Sequence, residues 1–141
     1  LGELRVGVAN KYLVFGTMRR PLPIVVDEIK LDWTHFNRPH REPFEPESGV
    51  YTVPEVFHSA WTAPDGSIGL FFANLHEQGD AALTIELPLA TLGERSGSIV
   101  TVTATQPIGH PVQHAVAWSP TITIEAPPRV LVMVEVLKNV P

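Results

Sequence analysis

The chain carries six histidines, fifteen acidic and ten basic side chains, three tryptophans and no cysteine, and these bound the chemistry open to it. His110 and His114 have the four-residue spacing of a metal-binding helix, but they flank Pro111 and run into an extended segment. Along a strand four residues span about 13 Å, at about 3.3 Å each. One zinc ion, with bonds to nitrogen of about 2 Å, cannot hold both. His58 and His76 fall at opposite ends of one hairpin, and His35 and His40 belong to a loop region, so no metal site is expected. Hydrolysis of a glycosidic bond needs two carboxyl groups about 5–10 Å apart. Glu42, Glu45 and Glu47 crowd a proline-rich stretch with nothing to fix their separation, and Asp27 and Glu28, adjacent in an extended segment, point to opposite faces. Their expected role is solvated charge. Ser59, Ser67, Ser96, Ser98 and Ser119 lack a G-x-S-x-G elbow and a neighbouring base. Gly66-Ser67-Ile68-Gly69 is a hairpin turn and not a phosphate-cradling strand-to-helix nest. The lack of cysteine removes disulfides, thiolate nucleophiles and Cys-type zinc sites. No catalytic residue and no cofactor is therefore expected in these 141 residues.

Aromatic side chains are the remaining candidates. Trp33, Trp61 and Trp118, with Phe36 and Phe44 in the intervening loop, could present flat rings to a sugar. Each tryptophan also sits in an alternating segment, where an indole gains as much by burial in a core or an interface.

The elements that must position these residues are organised around Val56–Leu75. Two runs rich in β-branched and aromatic residues flank Ala63-Pro64-Asp65-Gly66-Ser67. Proline presets a turn φ, aspartate bonds back to its own backbone and glycine accepts positive φ, so this stretch predicts a tight reversal. Val56, His58 and Ala60 oppose Phe57, Ser59 and Trp61 on the first arm, and Ile68, Leu70 and Phe72 oppose Gly69, Phe71 and Ala73 on the second. Apolar residues on both faces place the hairpin inside a packed sheet.

Upstream, Leu4, Val8, Tyr12 and Phe15 form one apolar stripe at helical spacing and predict a helix over 4–15, weakened by Gly7 and three valines and stopped at Gly16. Residues 24–33 alternate as a half-buried strand, and 37–49, with three prolines, predict a surface loop. Further strands are predicted at 82–87, 99–105, 112–118, 121–125 and 129–137, with a connection over 90–98. The last of them, RVLVMVEVL, is apolar at nearly every position and should be central. About eight closely spaced strands and one short N-terminal helix predict an all-β, antiparallel sandwich. The expected division is a helix and bridge over 1–23, the tail of a preceding domain, followed by the sandwich over 24–141.

A hydrophobic content of 44% at this length is enough for a proper core, while only 18% charged residues and a net charge of −5 leave no basic stripe. Nucleic acid and anionic membrane are thereby excluded as expected partners. No apolar run is long enough to span a bilayer as a helix. The chain opens without methionine, LGELRVG, in mid-pattern, and is expected to be a piece of a longer protein.

The segments KYLVFGTMRRPLPI and PEVFHSAWTAPDGSIGLFFANL, and a closing strand ending APPRVLVMVEVL, resemble the tail of glycoside-hydrolase-like proteins in which an α-galactosidase- or α-amylase-type (β/α)₈ barrel precedes a small all-β domain. The resemblance implies that 4–15 is the last barrel helix. It also implies that the family's catalytic acids lie upstream, and that the chain is a non-catalytic accessory domain packed against the barrel. Leu4, Val8, Tyr12, Phe15, Met18, Arg19 and Arg20 would then form the interface. The competing expectations are a stand-alone carbohydrate-binding module and an adhesive or assembly domain.

Overall fold

The central hairpin forms where its composition places it. The arms Val56–Thr62 (β4) and Ile68–Asn74 (β5) pair from Val56↔Asn74 to Thr62↔Ile68. Across the turn the Gly66 amide bonds the Ala63 carbonyl at 2.9 Å, and Gly66 takes the positive φ of 80° that the reversal requires. The computed structural model describes residues 6–35, 46–76, 82–93, 99–104 and 112–137.

Two units are distinct. The larger comprises 1–25 and 56–141. In it Thr17–Arg19 (β1), β4, β5, Leu131–Leu137 (β10), Ile99–Ala104 (β7) and Val112–Ala117 (β8) form one sheet in the order β1-β4-β5-β10-β7-β8. Every pairing in it is antiparallel. The hairpin is internal and β10 lies between β5 and β7, as the two-sided apolar pattern predicts.

Register assigns the side chains. Ile68, Leu70, Phe72 and Asn74 share a face with Val132, Val134 and Val136 and with Val100 and Val102, all of them buried. Against this inner face lies a second layer, the antiparallel pair Leu83–Leu87 (β6) and Ile122–Ala126 (β9), which buries Ile85, Leu87, Ile124 and Ala126 and exposes Thr84, Glu86, Thr123 and Glu125. A polar bond joins the layers: the buried Asn74 amide donates to the Ala126 carbonyl at 2.7 Å. The result is an all-β antiparallel sandwich. Each fully buried aliphatic side chain of the inner face contributes about 1.5–3 kcal/mol.

The smaller unit, 26–55, is a hairpin of Glu28–His35 (β2) and Glu47–Pro54 (β3), in register from Glu28↔Pro54 to His35↔Glu47. Ile29, Leu31 and Trp33 are half-buried and Glu28, Lys30 and Asp32 exposed, as their alternation predicts.

Three expectations are revised. Residues 47–49, predicted as loop, are strand: the partner's regular run gives them a ladder to join, which composition alone does not reveal. The segment 17–19, predicted as bridge, is an edge strand on β4. These two account for ten strands among the described residues in place of about eight. The predicted helix is interrupted: Val6 is helical, turns follow at 7–9, and the α-helix Asn10–Leu13 (α1) comes after them, so that Gly7 and the valines break the apolar stripe. Among the described residues no helix is long and apolar enough to cross a membrane.

Candidate functional site

The face of the large sheet opposite β6 and β9 carries its main concentration of polar chemistry. Gly69 has no side chain there, and the Tyr12 ring lies flat against its backbone: a Cβ on Gly69 would stand 2.7 Å from Tyr12 Cγ. Tyr12 is fully buried, packed with Ala9, Ala63, Phe71 and Met133 and edge-on to the Phe71 ring at 6.2 Å. From that seat its hydroxyl reaches Ser67 Oγ at 2.9 Å and Glu135 Oε1 at 2.7 Å. The Lys11 ammonium closes the circuit, 2.7 Å from Glu135 Oε1 and 3.1 Å from Asp65 Oδ2. Asp65 in turn accepts from both the backbone N–H and the hydroxyl of Ser67.

Each group is held in the protonation state that suits a clasp. Burial raises the Tyr12 phenol well above its ordinary value, so it stays a donor. Burial alone would lower Lys11, but its hydrogen bonds to Glu135 and Asp65 outweigh this and raise it. The hydrogen bonds from the Ser67 hydroxyl and N–H, joined by that from Lys11, hold Asp65 at about 2. Two carboxylates therefore meet, but a lysine ammonium lies between them where a glycosidic oxygen would have to enter. Glu135 is only 9% exposed and the tyrosine not at all. The cluster fastens α1 to the sheet, with Tyr12 and Glu135 buried and Lys11 and Asp65 at its solvent edge.

The depressed Asp65 value has a consequence with a definite sign. A carboxylate lowered in the folded state adds stability above its unfolded value, ordinarily near 3.8, and that stability is lost as pH falls towards 2. Asp65→Asn is expected to flatten the acid limb of the stability profile between those two values and to lower the curve between pH 6 and 8 evenly, without changing its slope there. An acid limb identical to that of the parent would refute this assignment.

Beside the clasp the same sheet face is apolar and open. Leu13, Phe57, Phe71, Ala73 and Leu131 line a groove of about 360 Å³. Phe57 is 52% exposed, and Val8, Phe15 and Met18 are 45%, 66% and 60% exposed. The Met18↔Trp61 pairing puts Met18 on this face and turns Arg19 to the other.

The structure divides the residues singled out in the sequence. Leu4, Phe36 and Phe44 lie outside the described residues. Tyr12 belongs to the core and not to a surface stripe with Val8 and Phe15, because Gly69 opens a seat for its ring; as an interface residue it is corrected. Trp61 is half-buried against the α1 cluster, its indole donating to Ser59 Oγ at 3.0 Å. Trp118 follows β8 at the far edge of the sheet, four strands from the Trp61 strand, with a buried Nε1 that has no partner among the described residues. At about 4.8 Å per strand the two strands that lead to those indoles are about 19 Å apart, too far for a common platform. Trp33, on the separate hairpin, lies across Gly49 and stacks on Tyr51 at 5.5 Å. Among the described residues no three of His, Asp and Glu gather as metal ligands.

Lys11, Glu135 and Phe57 were missed as functional candidates. Glu135 did give a signal, being the sole charge in VLVMVEVL. A charge inside a buried strand needs a partner.

The fold defines the class: a two-layer antiparallel β-sandwich carrying a short helix clasped to its outer face. Similar folds occur in solved α-L-arabinofuranosidases. A thermostable GH51 α-L-arabinofuranosidase from Thermotoga petrophila RKU-1 and the α-L-arabinofuranosidase from Thermotoga maritima in its arabinose complex each match 80% of this chain at a TM-score of 0.57 and 13% identity, over 24% of their own length. The GH51 arabinofuranosidase from Xanthomonas axonopodis pv. citri matches 67% of this chain at a TM-score of 0.47 and 21% identity, over 22% of its length. The chain thus spans about a quarter of the length of these glycoside hydrolases. They are of a different kind from the α-galactosidases and α-amylases to which the sequence motifs pointed. The sequence matches no family model and no curated protein.

Proposed function

We propose that this chain is a non-catalytic accessory β-sandwich of a larger glycoside-hydrolase-like protein, docking through its outer sheet face on the catalytic domain that precedes it. The observation that carries the reading is the open apolar surface around Val8, Phe15, Met18 and Phe57, next to the Leu13–Leu131 groove. Monomers rarely leave contiguous apolar surface of this kind uncovered. Here it adjoins the N-terminal segment, where chain from a preceding domain would arrive. The partial match to much longer glycosidases supports the same reading. The polar clasp supports a structural role, since its carboxylates are committed to Lys11 and Tyr12. Catalytic acids would then belong to the preceding domain, and this domain would set its orientation and shape one wall of its cleft.

Phe15→Ser together with Phe57→Ser removes the two most prominent rings of that face, neither of them in the core. The doubly substituted chain is expected to keep its unfolding midpoint and to bind the separately expressed preceding domain at least tenfold more weakly. Unchanged association, or a native polypeptide no longer than these 141 residues, would sink the proposal.

A further inference from the structure

A second concavity, of about 720 Å³, falls within the size range of small-molecule sites. Arg19 and Arg20 at the end of β1, His58 in the middle of β4, and Thr91 and Leu92 in the 3-10 turn Leu89–Leu92 line it, together with the loop through Leu22. Its charge is opposite to that of the chain. No carboxylate lines it among the described residues, although acidic side chains outnumber basic ones fifteen to ten overall. The ion pairs among the described residues belong to Lys11, so among those residues neither guanidinium group has a carboxylate partner. Arg19 spends one N–H on Thr62 Oγ1 at a long 3.5 Å and keeps the rest of its five donors.

The walls are fixed. His58 Nε2 lies 3.0 Å from the Leu22 carbonyl, which can only accept, so Nε2 carries the hydrogen and ties the arginine-bearing loop to β4. The ring stacks on Phe72, nearly parallel at 9°. Thr91 donates its hydroxyl hydrogen to the Pro88 carbonyl at 2.8 Å and so turns only acceptor capacity towards a ligand.

We infer that this pocket binds a carboxylate-bearing sugar, the uronic acid unit of an acidic saccharide. The arginine forks match a planar carboxylate, the Thr91 oxygen accepts from a sugar hydroxyl, and Leu92 offers an apolar surface to the ring. Inorganic phosphate would use the arginines but brings no ring to lie on Leu92. The inference stands apart from the docking proposal. Arg19 faces away from the outer sheet face, and the Phe15 and Phe57 substitutions leave the pocket unaltered.

Calorimetric titration of the full chain with trigalacturonate, its methyl ester, arabinotriose and inorganic phosphate tests it. Trigalacturonate is expected to bind at least tenfold more tightly than the other three. Arg19→Gln with Arg20→Gln should weaken it tenfold or more with an unchanged circular dichroism spectrum, and Thr91→Val should weaken it severalfold. Equal binding of phosphate, equal binding of the methyl ester, or indifference to the paired arginine substitution would each overturn the assignment. Should the arginine variant not fold, Thr91→Val decides, because indifference to it removes the hydroxyl contact on which the sugar assignment rests.

Discussion

Gly69→Val is expected to lower the stability of the sandwich by about 3 kcal/mol, the upper part of the usual range for forcing extra atoms into a packed core. A Cβ there would meet Tyr12 Cγ, Cδ1 and Cδ2 at 2.7, 2.8 and 2.9 Å, inside van der Waals contact with the body of a ring and not with a flexible tip. The ring cannot withdraw. It is fully buried, Phe71 stands edge-on to it, and its hydroxyl is held by Ser67 on one side and Glu135 on the other. Relief requires lifting α1 from the sheet, which abandons the buried aromatic contact and leaves Glu135 short of a donor. Denaturant unfolding reads the loss directly, and thermal unfolding should show a midpoint lower by about 10 °C. A variant within 0.5 kcal/mol of the parent would mean that Tyr12 does not rest on Gly69, and the account of how α1 is seated would fail with it.

The second large effect concerns the charge inside β10. Lys11→Met leaves a carboxylate that is 9% exposed with, among the described residues, the Tyr12 hydroxyl as its remaining donor, and it is expected to cost about 2 kcal/mol at pH 7. Breaking a fully buried pair costs about 3–5 kcal/mol. The lower figure follows because the lysine side chain is 34% exposed, so water takes up part of the loss. Removing the acid as well reverses the sign of the argument. In Lys11→Met with Glu135→Met no buried charge remains to be solvated, Asp65 being open to water, and Tyr12 and Met133 on the same sheet face gain an apolar neighbour, so most of the lost stability should return. The double-mutant cycle measures this as a coupling of about 1–2 kcal/mol. A double variant less stable than Lys11→Met alone would show that the pair adds net stability and is not merely intolerant of being broken.

Both arguments bear on function through the same element. α1 is fixed to the sheet by Tyr12 and Lys11, and that attachment holds Leu13 beside Phe57, Phe71 and Leu131 and sets the position from which Phe15 projects. A loosened clasp should therefore weaken the proposed docking before it unfolds the sandwich.

Local chemistry in the sequence determined the hairpin, its turn, the strand alternation and the central place of β10. Pro64, Asp65 and Gly66 encode a reversal whatever surrounds them, and period-two apolar patterning on both faces has no stable outcome except the interior of a sheet. It likewise excluded thiol and disulfide chemistry outright. Tertiary structure alone decided which partners meet over long separations. Tyr12 reads as a surface stripe residue by its spacing, but Gly69, fifty-seven positions on, provides the seat that buries it. Lys11 and Glu135 show no relation in the sequence, yet they pair because a strand and a helix from opposite ends of the chain cross at one point. Residues 17–19 and 47–49 carry too little pattern to declare themselves as strands and become so only where β4 and β2 offer them a ladder. Arg19 and Arg20 read as a bridge in the sequence, whereas edge pairing turns Arg19 away from the face that Met18 joins and places both arginines at a pocket. Spacing along the chain fixes period and turn; contact across it is fixed by which backbones can approach.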